Sequence, residues 1–214
     1  YVDGEMLSNI SDEKLMRKFL DDCQENLFVK KEVKNKSEFV SNCEEMYERK
    51  TKERVLKLSD TKLDKVSVIN GVKVKPIEEM LHDIDWDWFY EIATPSYFHG
   101  DLQPENILYD KGKDKFVLID WRQRFGKSIL KDMFSYEIKG SSGTVDFYAK
   151  SNLVYFMDVF KKFCSDNEYD WEAVELLGIL QYFNICTLYD NFKDGRYGNF
   201  LFLYGKYLLA KLIY

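Results

Sequence analysis

Nowhere in this sequence do about 18 apolar residues run together, the length a helix needs to cross a bilayer, so it contains no candidate membrane span. A basic excess is missing too: 31 basic against 37 acidic side chains leave a net charge of −6. That is not the global positive field nucleic-acid binding favours. The local basic runs, Lys30-Lys31 and Arg49-Lys50-Thr51-Lys52, alternate with Glu and read as solvated helix faces. Cysteine is sparse: Cys23, Cys43, Cys164 and Cys186 form no Cys-x-x-Cys pair and have no His nearby. They read as small core residues in a reducing cytoplasm, not as disulfide partners or metal ligands. The N-terminus as it stands shows no signal-peptide pattern, there is no linker, and no Gly-x-Gly-x-x-Gly occurs anywhere. A chain of 214 residues that is 45% hydrophobic and 16% aromatic can bury a substantial core. The expectation is one soluble, cytoplasmic globular unit.

The order of elements reads helical, then mixed, then helical. From Asp12 to Leu27, Leu15, Phe19 and Cys23 line one helical face beside Met16, Leu20 and Leu27; Ser37 to Leu56 repeats the pattern with Phe39, Val40, Cys43, Met46 and Tyr47. Val66 to Ile69 and Val72 to Lys75 flank Asn70-Gly71, a strong two-residue hairpin signal. Pro76 suits the first turn of a short helix through Ile84. Met133 to Ile138 and Thr144 to Tyr148 predict a second hairpin around a Gly-Ser tip. Three helices should follow, near 149–165, 171–189 and 199–213, with Asp170 capping the second.

Between these helical halves lies the densest chemistry. His99-Gly100-Asp101-Leu102-Gln103-Pro104-Glu105-Asn106 is followed by the apolar run Phe116-Val117-Leu118-Ile119, which ends in Asp120-Trp121. Asp101 and Asn106 are five residues apart, and Asp120 comes 19 after Asp101, as in kinase catalytic and metal motifs. Phosphoryl transfer asks for hard oxygen ligands that hold Mg²⁺ between phosphates and for a group that takes the proton of the attacking hydroxyl. Asp120 and Asn106 suit the metal, and Asp101 suits the base. An ordinary surface loop also favours Asp and Asn, but it would not require a second apolar strand ending in Asp at this distance. His99 reads as a brace for the loop.

At these residues the chain resembles the aminoglycoside phosphotransferase and choline kinase superfamily, which shares the protein-kinase-like fold. Gly100 and Trp121 stand where protein kinases usually carry Arg and Phe, which favours the small-molecule branch. The resemblance implies an α+β chain: the mainly helical C-terminal lobe of a protein-kinase-like fold, with short β-hairpins around the catalytic loop, spanning 1–214 as a single lobe. It implies ATP and Mg as cofactors and a small-molecule alcohol, such as choline, ethanolamine, an aminoglycoside or a sugar, as acceptor. Tyr1 to Leu7 looks like the hinge between lobes, where Val2 would face adenine and Glu5 would reach the ribose. Leu108 would floor the adenine slot and Ile119 would line it. The helical segment 149–214 corresponds to the part of choline-kinase-like enzymes that contributes to the acceptor pocket, with Tyr182, Tyr189, Phe192 and Tyr197 as aromatic faces.

Two departures qualify the match. With a hinge at residue 1 the smaller lobe, its phosphate loop and its phosphate-pairing Lys do not appear in the sequence. Where such enzymes continue into a Gly-Asp-x-x-x-Asp-Leu-Ala-like bracing helix, this chain has Gly126-Lys127-Ser128-Ile129-Leu130-Lys131-Asp132-Met133. The chain therefore reads either as the larger lobe of a longer enzyme or as a catalytically incomplete pseudokinase or binding module. The 66–75 hairpin reads as a substrate-side insert or a packing hairpin. Asp85-Trp86-Asp87-Trp88 reads as a cage for an amine or as a helix anchor. Acceptor identity, ATP or GTP, and oligomeric state stay open at this level.

Overall fold

The structure is a computed structural model that describes residues 3–97, 102, 104–119, 134–149, 151–189 and 195–214. Its elements in chain order are β1 (Glu5–Met6), α1 (Glu13–Asn26), α2 (Lys36–Cys43), a π-helical stretch (Glu44–Arg49), α3 (Lys50–Val55), β2 (Val68–Ile69), β3 (Val72–Lys73), α4 (Ile77–His82), α5 (Trp86–Ile92), β4 (Ile107–Asp110), β5 (Lys115–Leu118), β6 (Phe134–Lys139), β7 (Ser142–Phe147), α6 (Ser151–Asp166), α7 (Trp171–Cys186) and α8 (Arg196–Ile213). The class is α+β, as the residue pattern predicts. Among the described residues no helix is long and apolar enough to cross a membrane. The residues fall into two compact units, one drawn from segments 1–33, 94–129 and 149–169, the other from 34–93, 130–148 and 170–214.

In the first unit a three-stranded antiparallel sheet, ordered β1-β4-β5, packs against α1. Asp12 starts this helix, its Oδ1 accepting from the backbone N–H of Lys14 at 2.8 Å and of Leu15 at 3.1 Å. The apolar stripe then buries Met16, Phe19, Leu20 and Cys23. Phe19 meets Phe116 of β5 edge to face at 5.2 Å, a favourable quadrupole arrangement. Arg17 ties α1 to α6 by pairing with both Asp21 and Asp166 while its guanidinium lies over Phe163. From α6, the buried Asn152 donates to the carbonyls of Ser8 at 2.6 Å and Ile10 at 3.2 Å, which fixes the chain between β1 and α1.

The second unit joins both hairpins in one sheet, ordered β3-β2-β7-β6, with β2 and β7 parallel. Asn70 and Gly71 sit at φ 48° and 80°, the two left-handed positions of a type I′ turn. The Asn70 side chain also clasps β7: its Nδ2 donates to the Val145 carbonyl at 2.7 Å and its Oδ1 accepts from the Val145 N–H at 2.9 Å. The 66–75 hairpin is thus integrated into a sheet. Pro76 lies one position before α4, at its N-cap, where its missing N–H costs nothing.

Asp170 caps α7 as the sequence predicts, accepting from the Ala173 N–H at 3.0 Å. Helices α7 and α8 form the apolar centre of this unit, with Phe183, Phe200, Phe202, Leu180 and Leu209 buried. Lys206 of α8 is buried among them, its ammonium donating to the carbonyl of Asp64 at 2.7 Å and pairing with its Oδ1 at 3.1 Å. Asp64 in turn accepts from the Ile77 N–H at 2.8 Å. Burial pulls the Lys206 ammonium below its ordinary value, against the opposing field of Asp64.

One sequence reading changes here, and one pair of alternatives is decided. Lys30-Lys31 is not part of a helix face; Lys30 forms an isolated antiparallel bridge with Ser96. Trp86 anchors rather than cages: its Nε1 donates to the Leu81 carbonyl at 2.9 Å, its ring stacks on Tyr90, and Lys52 of the chain itself lies 5.9 Å from its centroid. Tyr182 and Tyr197 pack as core aromatics against Tyr204 and Phe134, while Phe192 lies outside the described residues.

Candidate functional site

The described motif residues, Pro104 to Asn106 and Phe116 to Ile119, lie at the β4–β5 hairpin. A short 3₁₀ turn over Pro104–Asn106 leads directly into β4. Proline at its start holds φ near the value a helical turn needs. The apolar and aromatic runs Ile107 to Tyr109 and Phe116 to Leu118 then favour pairing, in the register Ile107↔Leu118, Leu108↔Val117, Tyr109↔Phe116 and Asp110↔Lys115. One bond extends this ladder: the Ile119 N–H donates to the Asn106 carbonyl at 2.8 Å. Residues 13 apart in sequence are thereby neighbours.

Strand β1 completes the sheet. Glu5 pairs with Tyr109 and Met6 with Leu108. Gly4 permits this approach, since a Cβ there would lie 3.1 Å from both Leu108 Cβ and the Tyr109 carbonyl oxygen, tighter than most side-chain contacts. Directly paired residues share a face, so Met6, Leu108 and Val117 form one apolar row. Leu108 and Val117 are only half-buried and Met6 is exposed. In the opposite row the rings of Tyr109 and Phe116 are tilted against each other at 5.2 Å; Phe116 meets Phe19 of α1, and both stay half-buried.

Of the residues singled out from sequence, Glu5, Leu108, Asn106 and Ile119 are gathered on this one sheet and its entry turn. Val2, Asp101 and Asp120 lie outside the described residues, as do His99, Gly100 and the 126–133 stretch. Among the described residues no three His, Cys, Asp or Glu side chains gather into a metal-holding group.

A cleft of about 980 Å³ opens at the turn end of the same hairpin, away from Asn106. Glu5 lines it, together with Asp3, Tyr109, Asp110 and Lys115; Asn106, Leu108 and Ile119 do not. Two of its charges pair within the turn. Lys113 pairs with Asp110 at 3.1 Å and holds that carboxyl below its ordinary range, and the Tyr109 hydroxyl donates to Asp114 at 2.7 Å, which pushes the phenol up. Lys18 of α1 reaches the same turn, donating to the Asp114 carbonyl at 3.1 Å. The turn end is a partly self-paired charge cluster, and the sequence signal for it, alternating Asp and Lys over 110–115, is the pattern of any solvated turn.

Comparison with family models, with curated proteins and with solved structures finds no match to this chain.

Proposed function

We propose that the chain is the larger lobe of a kinase-like enzyme that uses ATP and Mg²⁺ to move the γ-phosphoryl group to the hydroxyl of a small molecule in the cytoplasm. Asp101 takes the hydroxyl proton, Asn106 and Asp120 hold the metal, and Val2, Leu108 and Ile119 contact the nucleotide; Glu5, on the face of the sheet opposite Leu108, does not share that slot. The observation that carries the reading is the backbone tie between Asn106 and Ile119, because the residue immediately before Asp120 in sequence is bonded to the other metal position. A hairpin in this register is what two metal ligands 14 residues apart require to act on one ion. The half-open row of Met6, Leu108 and Val117, flanked by β1, supports an apolar slot of the kind a planar base fills.

The test is ADP release by the full-length protein with Mg·ATP and a panel of choline, ethanolamine, sugars, aminoglycosides and amino-acid alcohols. Asp101→Asn and Asp120→Asn should each lower turnover by about 100-fold or more. Equal turnover in both variants refutes the assignment. The rival is a pseudokinase or binding module. It predicts Mg²⁺-dependent ATP binding, or none, with no turnover on any acceptor.

A further inference from the structure

The cleft at the turn end of the β4–β5 hairpin has no part in the kinase reading. It lies wholly within the first unit, and at about 980 Å³ it reaches the size of pockets that hold small molecules, roughly 300–1,000 Å³. Its lining mixes signs with apolar surface. Asp3 and Glu5 enter from β1 and the residues before it, and Lys111 and Lys115 from the hairpin, while the buried Ile10 and the half-buried Leu15 supply an apolar wall.

These charges close on each other only in part. Lys115 stands directly opposite Asp110 in the strand register, yet Asp110 pairs with Lys113 instead, at 3.1 Å. Asp12 is engaged at the start of α1. That leaves Asp3, Glu5, Lys111 and Lys115, all exposed, whose side chains have no ion-pair or hydrogen-bond partner among the described residues. Two carboxylates and two ammonium groups thus share one cleft without meeting.

We propose that this cleft binds a small zwitterion, an amino acid or short peptide with an apolar side chain, its ammonium toward Asp3 and Glu5 and its carboxylate toward Lys111 and Lys115. A nucleotide or other polyanion would meet the carboxylates of the lining, and a polyamine would meet its lysines. A ligand carrying both signs finds a partner for each, and the apolar wall takes its side chain. The site is separate from Asn106 and Ile119, which do not line the cleft, and it stands whether or not the chain is a kinase.

The experiment is calorimetric titration of the full-length protein at low ionic strength with three probes: the dipeptide Ala-Leu, its N-acetyl form, which keeps only the carboxylate, and its C-terminal amide, which keeps only the ammonium. Ala-Leu should bind saturably, and each blocked form about four- to twentyfold more weakly, the range two exposed ion pairs support. Asp3→Asn/Glu5→Gln should weaken Ala-Leu by that same factor and leave the N-acetyl form no weaker. Lys111→Met/Lys115→Met should weaken Ala-Leu likewise and leave the amide no weaker. Added salt should weaken Ala-Leu in the unaltered protein, and Asp101→Asn should leave its binding unchanged.

No saturable binding of Ala-Leu at millimolar concentration overturns the proposal. Blocked forms that bind as tightly as Ala-Leu overturn the assignment of a zwitterion. Binding that both double variants leave intact, or that Asp101→Asn abolishes, puts the dipeptide elsewhere on the protein and removes the cleft as its site.

Discussion

The two units bury their apolar side chains to different degrees. In the second, Leu180, Phe183, Phe202 and Leu209 are fully enclosed, and even a lysine is sealed in with its carboxylate. In the first, Leu108, Tyr109, Phe116 and Val117 of the sheet are all only half-buried, and Met6 is exposed. The sealed centre belongs to the second unit, and the sheet of the first leaves both of its faces partly open.

The sharpest way to break this contrast is Lys206→Met. It strands Asp64 as a buried charge, and removing one partner of such a pair costs about 3–5 kcal/mol. Urea unfolding should show that loss, and Lys206→Met/Asp64→Leu should recover part of it; an unchanged midpoint in the single variant would mean that the second unit is not locked as described. Next comes a matched pair of truncations. Leu180→Ala, in an enclosed site, should cost about 2–5 kcal/mol. Leu108→Ala, in the half-open row, should cost about 1 kcal/mol because much of its surface is already in contact with water, while weakening Mg·ATP binding. Equal losses would erase the difference between the rows.

A separate effect concerns pH. Burial pushes the thiol of Cys23 up from 9.0 to about 12 and that of Cys164 to about 11. Above pH 9 the unfolded chain then loses protons that the folded chain retains, so stability falls as pH rises from 9 toward 11. Chemical denaturation at stepped alkaline pH checks the slope, and Cys23→Ala should flatten it.

Much of the fold is legible wherever local chemistry and burial agree. Asp12 and Asp170 cap the helices that the apolar spacing predicts, and Asn70-Gly71 marks its turn because few residues tolerate two consecutive left-handed positions. The ends of α6 and α8 shift by one to three residues from the predicted limits, a normal consequence of fraying and cap geometry. The parallel pairing of β2 with β7 is not legible, since it joins segments 74 residues apart and depends on the Asn70 side chain serving both its turn and a distant strand. For the site, the Ile119 N–H reaches the Asn106 carbonyl, while Asp101 and Asp120 lie outside the described residues. The open charges of the cleft leave no trace in sequence, because Lys111 and Lys115 in an alternating Asp–Lys run are unremarkable by themselves.

The π-helical stretch from Glu44 to Arg49 has a separate bearing on how this chain tolerates insertion and deletion. Cys43, Tyr47, Thr51 and Val55 recur every four residues, a spacing that drifts around an ordinary α-helix by about 40° per step. A wider turn takes up that drift and brings Cys43, Thr51 and Val55 to buried positions. The stretch acts as a one-residue spacer. Removing a residue from it would leave a continuous helix but swing everything downstream by about 100°, turning Thr51 away from its contact with Asn184. For this segment, length is as much a specification as composition.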